Sequence, residues 1–181
     1  MRSDVPHIEL DTETPGIRSL FMYRPETAMP LTALAEVLLR GDSTLERGER
    51  ELIAAYVSRL NDCNFCAWSH GAFAAHQLTD GMSVVDATHA DLETSPVSEK
   101  MKALLRLAGK VQQSGLAVGP DDVEAARQQG ATDLEIHDTV LIAAAFCMFN
   151  RYVDGLAVVT PEDPSAYASM AELVTEAGYQ R

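Results

Sequence analysis

Apolar residues recur at three- and four-residue intervals along most of the chain, and alternating strand-like stretches bounded by turn residues are hard to find. The pattern predicts an all-α protein. A first helix is expected over 31–40, burying Leu34, Val37 and Leu38 and stopping at Gly41, a residue suited to a left-handed C-terminal turn. A second should begin near 43–47, where Ser43 and Glu46 have capping-box spacing, and bury a stripe of Leu45, Leu52, Ile53, Tyr56, Val57 and Leu60. Asn61 and Asp62 interrupt that stripe, and either can cap a third helix over 63–78. Further helices are expected over 83–90, 98–113, 121–129, 133–156 and 165–176, about seven to eight in all, with Gly115, Gly119, Gly130 and Gly155 between or after them.

Residues 1–30 carry Pro6, Pro15, Pro25 and Pro30 and are expected to form an irregular arm packed on a single helical domain over 31–181. A faint internal repeat lays Glu51 on Glu135, Cys63 on Cys147 and Gly71 on Gly155, but puts Asn150 under Cys66 and Asp154 under His70. A second copy would therefore lack the reactive pair.

Composition narrows the function. At 181 residues with 46% hydrophobic and 23% charged side chains, the chain can bury about two-thirds of its unfolded surface without staples. The net charge of −13 has the wrong sign for a phosphate backbone or an anionic membrane, and arginines such as Arg24, Arg40 and Arg106 stand singly, so nucleic acid is excluded as a partner. The longest apolar run, 140–149, is half of the ~20 residues that cross a bilayer. The start of the chain lacks the apolar core of a secretory signal, so a cytoplasmic location is expected.

In a reducing compartment, cysteines are seldom structural bridges, which makes Cys63-Asn64-Phe65-Cys66 the first candidate for chemistry. At the start of a helix, Cys63 would meet free N–H groups and the positive dipole end, lowering its thiol pKa. Cysteines three apart on a helix have Cα atoms about 5 Å apart, inside the window a disulfide requires. His70, four residues after Cys66 and seven after Cys63, projects from the same face and can take a thiol proton near neutral pH. Four-residue spacing makes Cys66 the favoured attacking sulfur. Glu51 can reach His70 only if the chain folds back at Asn61-Asp62, since a straight helix would leave it about 18 Å from Cys63. There it would orient the imidazole and stabilise its charged form.

Glu51, Cys63, Cys66 and His70, together with Glu49-Arg50-Glu51-Leu52-Ile53-Ala54, Val57-Ser58-Arg59-Leu60-Asn61 and the later Asn150-Arg151, resemble the alkylhydroperoxidase D-like, peroxidase-related branch of the carboxymuconolactone decarboxylase superfamily. The resemblance is most specific over 51–71 and looser over 30–159. It implies an all-helical protomer in a homotrimer or homohexamer, an antioxidant thiol peroxidase working through Cys63 and Cys66 with a Glu51/His70 proton relay. It also implies a hydroperoxide substrate, an external dithiol reductant, and no metal or flavin cofactor. In one respect the sequence departs from that pattern: a second histidine lies between the cysteines in the family, and here the place is Phe65.

Other readings of the same residues are a lactone decarboxylase like the other branch of the superfamily, a redox-responsive assembly protein without enzymatic turnover, or a zinc site built from the same four side chains. Trp68, Phe65 and Phe73 can either pack a core or line an apolar peroxide pocket. Cys147 reads as an inert core residue, and His7, His76, His89 and His137 as surface or capping residues. The acidic residues over 86–99 read as a solvated face, and no glycine loop for a nucleotide is present.

Overall fold

The computed structural model describes residues 5–179. The first four residues of the expected arm lie outside them. Within them every regular element is helical: α1 Ile17–Tyr23, α2 Pro25–Arg40, α3 Arg47–Leu60, α4 Asn64–Gln77, α5 Met82–Ala90, α6 Glu99–Gln113, α7 Pro120–Gln128, α8 Asp133–Gly155 and α9 Pro164–Ala177, with a short 3-10 turn at Gly115–Ala117. None of these helices is long and apolar enough to cross a membrane.

The expectation of seven to eight helices falls short because the proline-bearing arm turns helical at Ile17. Pro25 occupies the first position of α2, where its missing N–H costs nothing. Pro30 lies inside α2 on an exposed side, where water can satisfy the carbonyl it leaves free. Of the described arm, residues 5–16 are irregular and run beside the end of α8, with the N–H groups of His7 and Gly16 donating to the carbonyls of Leu156 and Val159.

Two caps differ from expectation. Gly41 ends α2 in an extended conformation, and Val37 faces outward while Leu38 and Leu39 are buried. The capping box of α3 is Glu46 with Glu49, not Ser43 with Glu46; Ser43 is engaged by the Leu45 N–H and by Asp138.

Helix α3 is buried along Leu52, Ile53, Ala54, Ala55 and Val57 because it packs against α4, α6 and α8 at once. Its last residue of the expected stripe, Leu60, is largely exposed. These helices share the larger apolar cluster, built on side chains such as Leu39, Leu104, Leu105, Ile142 and Phe146. A smaller cluster gathers Leu20, Cys63, Phe65, Cys66, Phe73, Val153 and Tyr167 from α1, α4, α8 and α9. The two meet along α4.

The faint sequence repeat has no counterpart in the fold. Helix α8 runs unbroken through Glu135, Cys147 and Asn150, whereas the matching stretch from Glu51 to Cys66 is folded into two helices.

Gly16 anchors the smaller cluster. Its φ of 66° is left-handed, and a Cβ there would overlap the ring of Phe65. Gly16→Ala is expected to cost about 2–4 kcal/mol in chemical denaturation, combining backbone strain with overpacking. A loss below about 0.5 kcal/mol, the range of ordinary surface changes, would contradict this packing.

Candidate active site

The turn between α3 and α4 places both sulfurs. The Asp62 N–H donates to the Arg59 carbonyl at 3.1 Å and the Cys63 N–H to the Ser58 carbonyl at 3.0 Å, with Asp62 left-handed at φ 55°. This is a Schellman closure, and aspartate is among the few residues that adopt its left-handed position readily. The same turn makes Cys63 the N-cap of α4, one step before the helix, and puts Cys66 in the first turn.

Both thiols are buried and unlinked. The adjacent Cys63 thiol first, then burial and the Asp154 charge, push the Cys66 thiol well above its ordinary value, and the Asn150 side chain pulls the other way. Asn150 is itself held from α3, donating to Ser58 Oγ at 3.0 Å and accepting from Asn61 Nδ2 at 2.8 Å.

The chain reversal brings Glu51 to His70. The His70 Nδ1–H donates to Glu51 Oε2 at 2.6 Å, and the carboxylate side chain is only 2% exposed. Its other oxygen, Oε1, accepts from the Tyr179 hydroxyl at 2.6 Å. Burial and the Glu51 charge raise the Tyr179 phenol well above its ordinary value, so it stays a donor. The His70 ring lies edge-on to Phe146 and Phe73 and nearly parallel to Tyr179.

With Nδ1 engaged, Nε2 is the nitrogen left for chemistry. His70 and Cys66 border one small cavity of about 60 Å³, and that cavity shares Ile17, Phe21, Phe65, His70 and Tyr179 with an open apolar groove of about 800 Å³. Cys63 borders neither. The expectation that all three side chains share one helical face is thus met by Cys66 and His70, while Cys63 sits behind Cys66, outside the helix. Among the described residues no three His, Cys, Asp or Glu side chains converge as metal ligands.

The remaining sequence candidates fall into place. Phe65 is buried against Gly16 and Tyr167 and forms a wall of both cavities, so the position between the cysteines shapes space where a histidine would carry protons. Phe73 lines the groove, and Trp68 is half-exposed with its edge to Tyr167. Cys147 is half-buried and accepts from Asn61 Nδ2 at 3.6 Å. His89 is partly buried: its Nε2 is enclosed, and burial lowers its pKa. Sequence reasoning missed Tyr179, which stands far along the chain in no recognisable motif. It treated Asn150 only as part of a resemblance.

Comparison with known proteins bears on the family and the fold. The model of the carboxymuconolactone decarboxylase family matches residues 25–80, which include Glu51, Cys63, Cys66 and His70. The alkylhydroperoxidase core structure of an uncharacterized peroxidase-related protein from Ralstonia eutropha superposes with a TM-score of 0.78 at 27% identity, over 87% of this chain and 81% of that one. Residues 25–80 thus carry the carboxymuconolactone decarboxylase family pattern, and the fold is alkylhydroperoxidase D-like. An uncharacterized peroxidase-related protein from Silicibacter agrees at a TM-score of 0.77 and 25% identity, over 87% and 80% of the two chains. A protein of unknown function from Agrobacterium tumefaciens shares the fold at 0.67 and 24% identity, over 83% and 100%. Among curated proteins none matches.

Because the thiolate is the reactive form, a raised thiol pKa moves reactivity to alkaline pH. Alkylation of Cys66 by iodoacetamide, followed by mass spectrometry, should be slow at pH 7 and climb beyond the ordinary thiol value of about 8.5. Asn150→Ala should displace the curve further upward. A rate already at its plateau at pH 7 would contradict the arrangement.

Proposed function

We propose that this protein is an antioxidant thiol peroxidase that reduces organic hydroperoxides through Cys66 and Cys63, with Glu51 and His70 as its proton relay. The observation that carries the reading is the cavity bordered by both Cys66 and His70, with a second buried, unlinked thiol three residues before Cys66 and a buried carboxylate bonded to the imidazole.

In the proposed cycle His70 Nε2 takes the Cys66 proton, which that thiol would otherwise hold too firmly at neutral pH. The Cys66 thiolate attacks the outer oxygen of R–O–O–H, the O–O bond breaks, and the departing alkoxide receives the proton from His70 as R–OH. Cys66 is left as a sulfenic acid. The Cys63 thiol then attacks that sulfur, releasing water and forming the disulfide. An external dithiol reduces it, so that one hydroperoxide and one dithiol become one alcohol, one water and one disulfide.

Cys66 is the attacking sulfur in this scheme because it alone of the pair borders the cavity. The groove supports an organic R group, since Phe21, Met29, Phe73 and Met170 line the approach to His70. Exposed Met22, Tyr23, Met29 and Val37 on α1 and α2 support assembly into the expected homotrimer or homohexamer.

Cumene hydroperoxide consumption with dithiothreitol tests the reading. Cys66→Ser should abolish turnover, and His70→Ala should slow it about 100-fold or more. With dithiothreitol left out, Cys63→Ser should consume one equivalent and leave a trappable sulfenic acid. Turnover retained in Cys66→Ser would remove that residue from its role. A single stoichiometric oxidation of the wild type would favour a redox-responsive assembly protein instead.

A further inference from the structure

Beyond the four side chains legible in the sequence, the C-terminal segment reaches the site. After α9 the chain turns at Gly178, left-handed at φ 81°, and delivers Tyr179 against α3 and α4. The turn is fastened from α2. The Tyr179 N–H donates to Glu36 Oε2 at 2.8 Å, and Arg40 donates to Glu36 Oε1 and to the carbonyls of Val174 and Thr175. A Cβ on Gly178 would come within 2.6 Å of that Glu36 oxygen, so only glycine fits between helix and tail.

We infer that Tyr179 is a positioning residue of the site: its hydroxyl fixes Glu51 Oε1, leaving Oε2 to hold the His70 Nδ1–H and so to present Nε2 to Cys66. The inference rests on the redox reading of Cys63 and Cys66 for its catalytic consequence, but not for the coupling itself. A phenylalanine would fill the same space, so the hydroxyl has a separate part. A carboxylate this deeply buried needs a donor at each oxygen. His70 changes its protonation in the proposed cycle, whereas Tyr179 does not. The phenol therefore supplies the constant donor and keeps Glu51 oriented through both states of the imidazole.

The other charged or titratable groups around the pair are Arg50 beside Glu51 on α3, Glu36 and Arg40 on α2, and Cys66 on α4. Tyr179→Phe alters none of them. Removing the hydroxyl leaves more of the carboxylate's charge for the bond from His70, which favours the imidazolium.

The test follows the His70 ring nitrogens by NMR across pH in the full chain. In Tyr179→Phe the midpoint is expected to rise by about half a unit or more, with the helical circular-dichroism spectrum retained and the melt lowered by the loss of one buried hydrogen bond. Gly178→Ala, which displaces the tail without touching the ring, should shift it in the same direction. Peroxide-driven loss of thiols should fall about tenfold in Tyr179→Phe, because the imidazole is no longer held in register. An identical His70 titration in wild type and Tyr179→Phe overturns the inference. A shifted titration in a protein whose wild type consumes no peroxide would sink the peroxidase reading and leave the Tyr179–Glu51–His70 coupling standing.

Discussion

The carboxylate of Glu51 sets the terms for the rest of the site. It lies inside the helical bundle, where an ionised group without partners is expensive, and its two oxygens are satisfied by a phenol from the C-terminus and an imidazole from α4. Three remote stretches of chain are thereby tied to one group. Residue 51 comes from the most deeply packed helix, residue 70 from the helix that carries the cysteines, and residue 179 from a tail clamped by α2. The position of His70 is consequently decided by the whole bundle, and with it the cavity that Cys66 borders.

That arrangement depends on a sharp reversal between α3 and α4. The Schellman closure at Asp62 ends one helix and, with Cys63 as N-cap, starts the next without an intervening loop. Cys63 is consequently held by its backbone to Ser58, whose hydroxyl also accepts from Asn150, a side chain that acts on the Cys66 thiol. The turn carrying both cysteines is thus tied to one residue of α3. A longer loop would have let the pair drift apart, and a straight helix would have separated it from Glu51.

Much of this was legible in the sequence because it is local. Helical periodicity located the later helices to within a residue or two, and the Asn61-Asp62 break correctly marked the reversal. Cys66 and His70 share a face because four residues separate them on one helix. The errors arose where tertiary packing outweighs local signals. Proline at 25 and 30 reads as a breaker, yet Pro25 starts a helix and Pro30 lies where its free carbonyl partner faces water. Dipole logic placed Cys63 in the first turn of α4, but the chain makes it the N-cap and puts Cys66 in that turn, where burial and the adjacent thiol raise its pKa. Tyr179 was invisible because nothing near it in sequence announces a contact with a residue 128 positions earlier.

Glu135 makes the contrast that explains why Glu51 belongs to chemistry. Both are buried glutamates on core helices, each 2% exposed. Burial pushes the Glu135 carboxyl upward, but the Lys100 ammonium at 2.8 Å, the Thr132 N–H at 2.7 Å and the Thr44 hydroxyl at 3.0 Å outweigh it and hold the group below the usual carboxylate range. Its charge is answered by a permanent cation and by donors that do not titrate near neutral pH, so nothing about it changes when a proton moves. Glu51 has no such ammonium at either oxygen. Its donors are a phenol and an imidazole, and only the imidazole can gain or lose a proton under ordinary conditions. The bundle therefore stabilises one buried carboxylate as a fixed joint. It leaves the other coupled to a ring whose remaining nitrogen belongs to the cavity that Cys66 borders.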